Sequence, residues 1–170
     1  MLSYNHLFKI GLIGSLCGLL AGCLQPMYGG LEGGELRSKL AAVRIEPIPE
    51  RLGHYLSNEL GFGLNGTGSE ISPLYKLSIA AKERVEAPLV DTVSGRATAA
   101  TIVVDASYKL FRLSDGALIA DGVAFSAAGY DRSSQRFANI RAARDAEIRD
   151  AKNLADQIKT RLAAALQSER

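Results

Sequence analysis

The chain has 170 residues, enough for one domain with a real core but not comfortably for two. Its formal net charge is +2, which argues against nucleic-acid binding through a basic surface. Tryptophan is absent, Ala and Gly are plentiful, and nothing in the composition marks disorder or a multipass membrane protein.

Met1 to Lys9 is short and polar, with Lys9 as its basic residue. Ile10 to Leu20 is an apolar run too short to span a bilayer. Leu20, Ala21, Gly22 and Cys23 follow. A short basic region, a short apolar region and small residues before a cut site form a secretory signal. Leu-Ala-Gly-Cys resembles the bacterial lipobox. That resemblance implies cleavage before Cys23, S-diacylglycerol and N-acyl groups (palmitate among them) on Cys23, and a membrane anchor. The alternative is an ordinary signal peptide with an incidental cysteine. Cys17 follows the bulky Leu16 and belongs to the apolar run. Each buried acyl methylene contributes about 0.8 kcal/mol, so two or more chains hold firmly. One cysteine remains after processing, which leaves no intramolecular disulfide. Leu24 stands where an Asp favours inner-membrane retention in enterobacterial lipoproteins, so the expected site is the outer membrane, on its periplasmic side.

Pro26 to Gly34 is Gly-rich and reads as a tether. The expected division is a cleaved signal peptide at 1–22, an acylated Cys23 with its tether at 23–35, and one domain at 36–170.

Ala41 to Ile48 alternates, with Val43 and Ile45 against Arg44 and Glu46, and predicts a strand ended by Pro47 and Pro49. Pro49 to Leu60 spaces Leu52, Tyr55, Leu56 and Leu60 as a helix, with Gly61 and Gly63 as stops. Residues 61–72 predict a loop. Leu74 to Val85 predicts a second strand with Tyr75, Leu77, Ile79 and Ala81 on one face, and Ala87 to Gly95 a connection. Ala97 to Leu113 predicts a third, with Ala100, Ile102, Val104, Ala106, Tyr108 and Leu110 on one face. Ser114-Asp115-Gly116 has hairpin-turn chemistry, and Leu118 to Tyr130 predicts the fourth strand. Ser134 to Gln167 predicts one long helix with the stripe Ile140, Ala143, Ile148, Ala151, Leu154, Ile158, Leu162 and Leu166. Its arginines and lysines lie mostly off that stripe and read as a solvated face.

The order β-α-β-β-β-α predicts an α+β two-layer sandwich: a four-stranded mixed sheet with two helices on one face. The other sheet face needs an explanation. The third strand carries Ala99, Thr101, Val103, Asp105, Ser107 and Lys109 there. The fourth has a face that is nearly all small: Ala120, Gly122, Ala124, Ser126 and Ala128. Small, weakly charged residues allow close approach by a partner surface, although they also make a tolerable exposed face.

Residues for catalysis are scarce. His54 is the one histidine after the signal, alone on a helix. No H-E-x-x-H, Cys/His cluster, G-x-S-x-G or P-loop occurs, so no metal set, cofactor or enzymatic activity is expected. Asp145 with Glu147 and Asp150 with Asp156 sit among arginines as surface pairs.

"GCLQPMYG" (Gly22 to Gly29), "GRATA" (Gly95 to Ala99), "ASYKLFRLSDGALIADG" (Ala106 to Gly122) and "GYDRSSQRFANIRAARDAEIRDAKNLADQIKTRLAAAL" (Gly129 to Leu166) stand in order along the chain. Together they resemble the lipopolysaccharide-assembly lipoproteins of alphaproteobacteria, the LptE family. Leu24 and Gln25 depart from that family's commoner Gly-Phe, and the middle loop matches little. The resemblance implies an outer-membrane lipoprotein that plugs the lumen of the LptD β-barrel. It implies support of barrel assembly and delivery of lipopolysaccharide to the outer leaflet. A two-helix, four-strand sandwich is also what the family implies. The expected partners are the barrel, lipopolysaccharide and the membrane through the anchor, with no nucleic acid. Arginine and lysine suit lipopolysaccharide phosphates, and Lys82, Arg84 and Arg96 flank the connection between the second and third strands. They form the expected anionic contact, against the plainer reading of three solvated charges beside Glu83 and Glu86. Two rivals are an auxiliary lipoprotein of an ABC-type envelope lipid transporter and a lipid-anchored periplasmic enzyme.

Overall fold

The structure is a computed structural model that describes residues 31–66, 71–87 and 98–169. Two units divide the chain, Met1–Glu35 and Leu36–Arg170. The elements in order are α1 (Leu31–Ala41), β1 (Val43–Ile45), α2 (Glu50–Leu64), β2 (Tyr75–Glu86), β3 (Ala99–Arg112), β4 (Leu118–Asp131) and α3 (Arg136–Ser168). The expected α+β fold with a four-stranded mixed sheet is present, preceded by one helix that periodicity missed. Leu31 to Gly34, read as tether, forms the start of α1. Leu36 and Leu40, one turn apart, are buried in the core of the second unit.

The sheet order is β1-β2-β3-β4. β1 pairs parallel with β2 over three residues, Val43 with Tyr75 to Ile45 with Leu77. β2, β3 and β4 form an antiparallel meander, with Leu77 beside Leu110 and Ala106 beside Ala124. The β3–β4 turn follows its chemistry. Gly116 sits at φ 71°, a conformation that suits glycine. The Asp115 Oδ1 accepts from the Ala117 N–H at 3.1 Å.

Strand alternation puts one face of β2 and β3 under the helices. Leu77, Ile79, Ile102, Val104, Ala106, Tyr108 and Leu110 are all buried there. α2 contributes Leu52, Leu56, Leu60 and Leu64, and α3 contributes Leu154, Ile158, Leu162 and Leu166, to the same core. Truncating one of these leucines to alanine costs about 2–5 kcal/mol.

Several boundaries differ from the periodicity. α2 runs through Gly61 and Gly63 to Leu64, because the buried Leu64 continues its apolar stripe. Gly53 is demanded by packing: a Cβ there would lie 2.7 Å from the Ile48 carbonyl oxygen. In α3 the expected stripe holds from Ala151 onward, but Ile140 and Ile148 are exposed. Glu147 and Asp150 take buried positions instead.

The small face of β4 meets the chain's own helix, not an outside partner. Ala124, Ser126 and Ala128 are buried, and Ser126 Oγ donates to the Asp150 carboxylate of α3 at 2.5 Å. Small side chains there let α3 sit close to the strand. Gly122 has the same logic within the sheet. The Tyr108 ring lies over it, and a Cβ would come within 2.8 Å of Tyr108 Oη.

Candidate functional site

The register defines the uncovered sheet face. β2 turns Lys76, Ser78, Ala80, Lys82, Arg84 and Glu86 outward. β3 turns Thr101, Val103, Asp105, Ser107 and Lys109 outward, and β4 turns Asp121, Val123, Phe125 and Ala127. Val123 is 55% exposed and Phe125 52%. Both side chains are large and apolar, and neither packs on the core of its own domain. The register places them beside Ser107 and Asp105. Val103, by contrast, is buried at the middle of this face, between Arg84 and Ala127.

The charges on this face are largely matched. Arg84 donates through NH1 to the Asp105 carboxylate and through Nε to Glu86 at 3.1 Å. Those hydrogen bonds, Asp105 first, raise the Arg84 guanidinium above its ordinary range. Lys82 lies directly across from Asp105 in the register. The expected anionic contact thus has two of its members on β2. Arg84 is committed to two carboxylates, and Lys82 has no ion-pair partner among the described residues. Arg96 lies outside the described residues, as do Leu20, Ala21, Gly22 and Cys23 of the lipobox. Near the opposite end of the sheet, Lys76, Phe111, Arg112, Leu113 and Gly116 line an open depression of about 230 Å³. Its cations are engaged: Lys76 with Glu46 at 3.4 Å, Arg112 with Asp115 at 2.8 Å and with Glu169.

The helix side holds a second polar group. Arg51 of α2 donates to both oxygens of Glu147 on α3, one of them at 2.7 Å. Glu83, turned inward from β2, is held above the usual carboxylate range by burial and then by the Glu147 charge. Burial likewise raises Asp150, although the Ser126 hydrogen bond pulls the other way. Asp150 Oδ2 is buried with no hydrogen-bond partner among the described residues. Among the described residues no set of acids, histidines or cysteines is arranged to hold a metal ion. His54 is exposed on α2, 3.4 Å from Asn58 of its own helix. No helix among the described residues is long and apolar enough to cross a membrane.

Sequence reasoning did not single out the exposed Val123 and Phe125, nor Phe137 at the start of α3. Register carries the first pair: once β3 turns Tyr108 and Val104 inward, its neighbour Phe125 must point out.

No family model matches the chain, and no curated protein does. Solved structures do share its fold. A protein from Caulobacter crescentus CB15 assigned as a lipoprotein is 22% identical. The match covers 79% of this chain and 98% of that one, with a TM-score of 0.65. A minor lipoprotein from Acinetobacter baumannii is 17% identical over 72% of this chain and 90% of its own, with a TM-score of 0.56. These likenesses establish a common fold.

Proposed function

We propose that this protein is an outer-membrane lipoprotein, anchored through acylated Cys23 on the periplasmic side. In this reading it plugs and helps assemble an LptD-type β-barrel and so serves lipopolysaccharide delivery to the outer leaflet. One observation carries the reading. A lipobox-like Leu20-Ala21-Gly22-Cys23 stands ahead of a domain whose fold matches 98% of the Caulobacter lipoprotein chain. The resemblance of Ala106 to Gly122 and Gly129 to Leu166 to the LptE family supplies the barrel and the lipopolysaccharide. The uncovered sheet face suits a lumen. It offers Val123 and Phe125 to a partner wall and balances Arg84 against Asp105 and Glu86.

Lys82 and Arg96 are the proposed first contacts for lipopolysaccharide phosphates, and Arg84 joins them only by exchanging Asp105 for the ligand. Charge reversal at Lys82 and Arg96 with unchanged lipopolysaccharide binding overturns that assignment. No catalytic role is proposed.

The test is purification of the tagged full-length protein from detergent-solubilised envelopes, with identification of stoichiometric partners. A large outer-membrane β-barrel is expected. Its recovery falls when Val123→Asp and Phe125→Asp are combined. Transporter subunits in its place would move the protein to the ABC-type auxiliary lipoproteins. Cys23→Ala is expected to leave an unacylated chain, detected as the loss of the lipid mass.

A further inference from the structure

The two long helices are unequal, and the inequality leaves a tip exposed. Arg51 meets Glu147 and Gly63 meets Lys159, the same offset of 96 residues at both points, so α2 and α3 run parallel. The turns of α3 before Glu147, roughly 16 Å of helix, therefore project beyond the start of α2. Phe137 is 71% exposed there and Ile140 48%. With Arg141 and Arg144 they occupy one helical face at i, i+3, i+4 and i+7.

Charge sets this tip apart from the rest of the domain. From Arg132 to Arg144 the chain has four arginines and no acidic residue. None of the four has an ion-pair partner among the described residues; Arg37, Arg44 and Arg161 share that state singly, while Arg51, Arg84, Arg112 and Arg149 are paired with carboxylates, so what distinguishes the tip is four such arginines within thirteen residues. The Arg141 guanidinium lies 5.9 Å from the centroid of the Phe137 ring. The tip is also held in shape. Ser133 N–H donates to Asn139 Oδ1 at 2.7 Å, and Asn139 Nδ2 donates to the Ser133 carbonyl at 2.8 Å. Those bonds tie the segment after β4 to the first turn of α3, so Phe137 is presented from a braced helix start.

We propose that this tip docks on the headgroup layer of an anionic phospholipid bilayer. Phe137 and Ile140 enter the acyl boundary, and Arg132, Arg136, Arg141 and Arg144 hold lipid phosphates. Exposed apolar side chains beside unpaired arginines supply the two contributions that hold a surface on such a layer, buried apolar area and attraction to anionic lipid. A second copy of the tip would bring the same four charges and be repelled. A neutral protein groove would leave the arginines desolvated without partners.

Because the chain has no tryptophan, Phe137→Trp places a single reporter at the tip of the full-length lipidated protein. The protein is reconstituted in phosphatidylcholine vesicles with or without phosphatidylglycerol, and quenching by brominated acyl chains is measured. Quenching is expected with phosphatidylglycerol and not with phosphatidylcholine alone. Phe62→Trp, exposed near the far end of α2, is expected to stay unquenched in both. Adding Arg136→Gln and Arg141→Gln lowers the docked population roughly 25-fold, about fivefold per arginine. A tip reporter that stays unquenched with phosphatidylglycerol overturns the proposal, and so does equal quenching in both vesicles. If Phe137→Trp loses its helical signal, Ile140→Trp is read by the same criteria.

Discussion

β4 is an edge strand, and three of its free carbonyls are occupied by α3. Arg161 NH1 donates to the Val123 carbonyl at 2.6 Å, Gln157 Nε2 to Phe125 at 2.8 Å, and Arg149 NH2 to Gly129 at 2.9 Å. The spacing explains how a helix can serve a strand this way. Four helix residues rise about 6 Å, and two strand residues rise roughly 6.6 Å. An i, i+4 row on α3 therefore keeps step with every second carbonyl of an antiparallel β4. Asn153 falls at the remaining rung and makes no side-chain hydrogen bond among the described residues. Replacing Arg149, Gln157 and Arg161 together by alanine removes three exposed bonds, each contributing roughly 0.5–1.5 kcal/mol. Taking the lower half of that range for exposure, the local cost is about 1.5–3 kcal/mol. That lowers protection of β4 amides against hydrogen exchange about 12- to 150-fold. The amides to read are those of Gly122, Ala124, Ser126 and Ala128, which face β3 because the odd-numbered carbonyls face the edge. Asn153→Ala is the control and should change nothing. Unchanged β4 protection in the triple variant, or an equal loss in the control, refutes the ladder.

Gly122→Ala should destabilise by about 1–3 kcal/mol through overlap with Tyr108, and Tyr108→Leu should recover part of it in a double-mutant cycle read from denaturant midpoints. Glu50 opens α2 at φ 69°, a conformation that costs an L-residue roughly 1–2 kcal/mol. Glu50→Gly should match or exceed the parent in Tm, and Glu50→Val should fall below it. Asp150 is raised by burial, so the folded state holds its proton to higher pH than the unfolded chain does. Stability from this group is fully present below the unfolded value near 4 and is lost as pH rises through the folded value. Asp150→Asn should therefore flatten the decline in Tm between pH 4 and 8, and a decline as steep as the parent's would rule out Asp150 as its source.

Strand positions were legible because β2 and β3 alternate cleanly, with Leu77, Ile79 and Ala81 matched by Leu110, Tyr108 and Ala106 across the register. β4 was harder for a physical reason. Its odd face carries Val123 and Phe125, and its even face carries Ala124, Ser126 and Ala128, so hydropathy within the strand favours turning the odd face inward. The register with β3 decides the opposite, and the close seat of α3 supplies the reason for small residues. Ile140 and Ile148 joined the α3 stripe by periodicity alone. Ile140 is exposed because it lies in the turns of α3 that run beyond the start of α2, which sits beside Glu147. Glu147 and Asp150 were indistinguishable from surface acids until Arg51 and Ser126 were placed against them. α1 escaped notice because Gly33 and Gly34 weaken the helical pattern ahead of Leu36.

The same placements restrict how a partner can bind. Strand addition at β4 would have to displace Arg149, Gln157 and Arg161 from its carbonyls. At the other side β1 offers three residues, and the length of β2 beyond it carries Lys82, Glu83 and Arg84 in succession, a charged edge that discourages pairing. Uncovered apolar surface includes instead Val123 and Phe125 on the sheet face and Phe137 and Ile140 on the tip. These are side-chain surfaces, not hydrogen-bonding edges. A wall of side chains, such as the inside of a barrel, can meet the face without adding a strand, while an anionic lipid layer can meet the tip. The two contacts lie on different layers of the sandwich, so substitutions at Phe125 and at Phe137 should separate them.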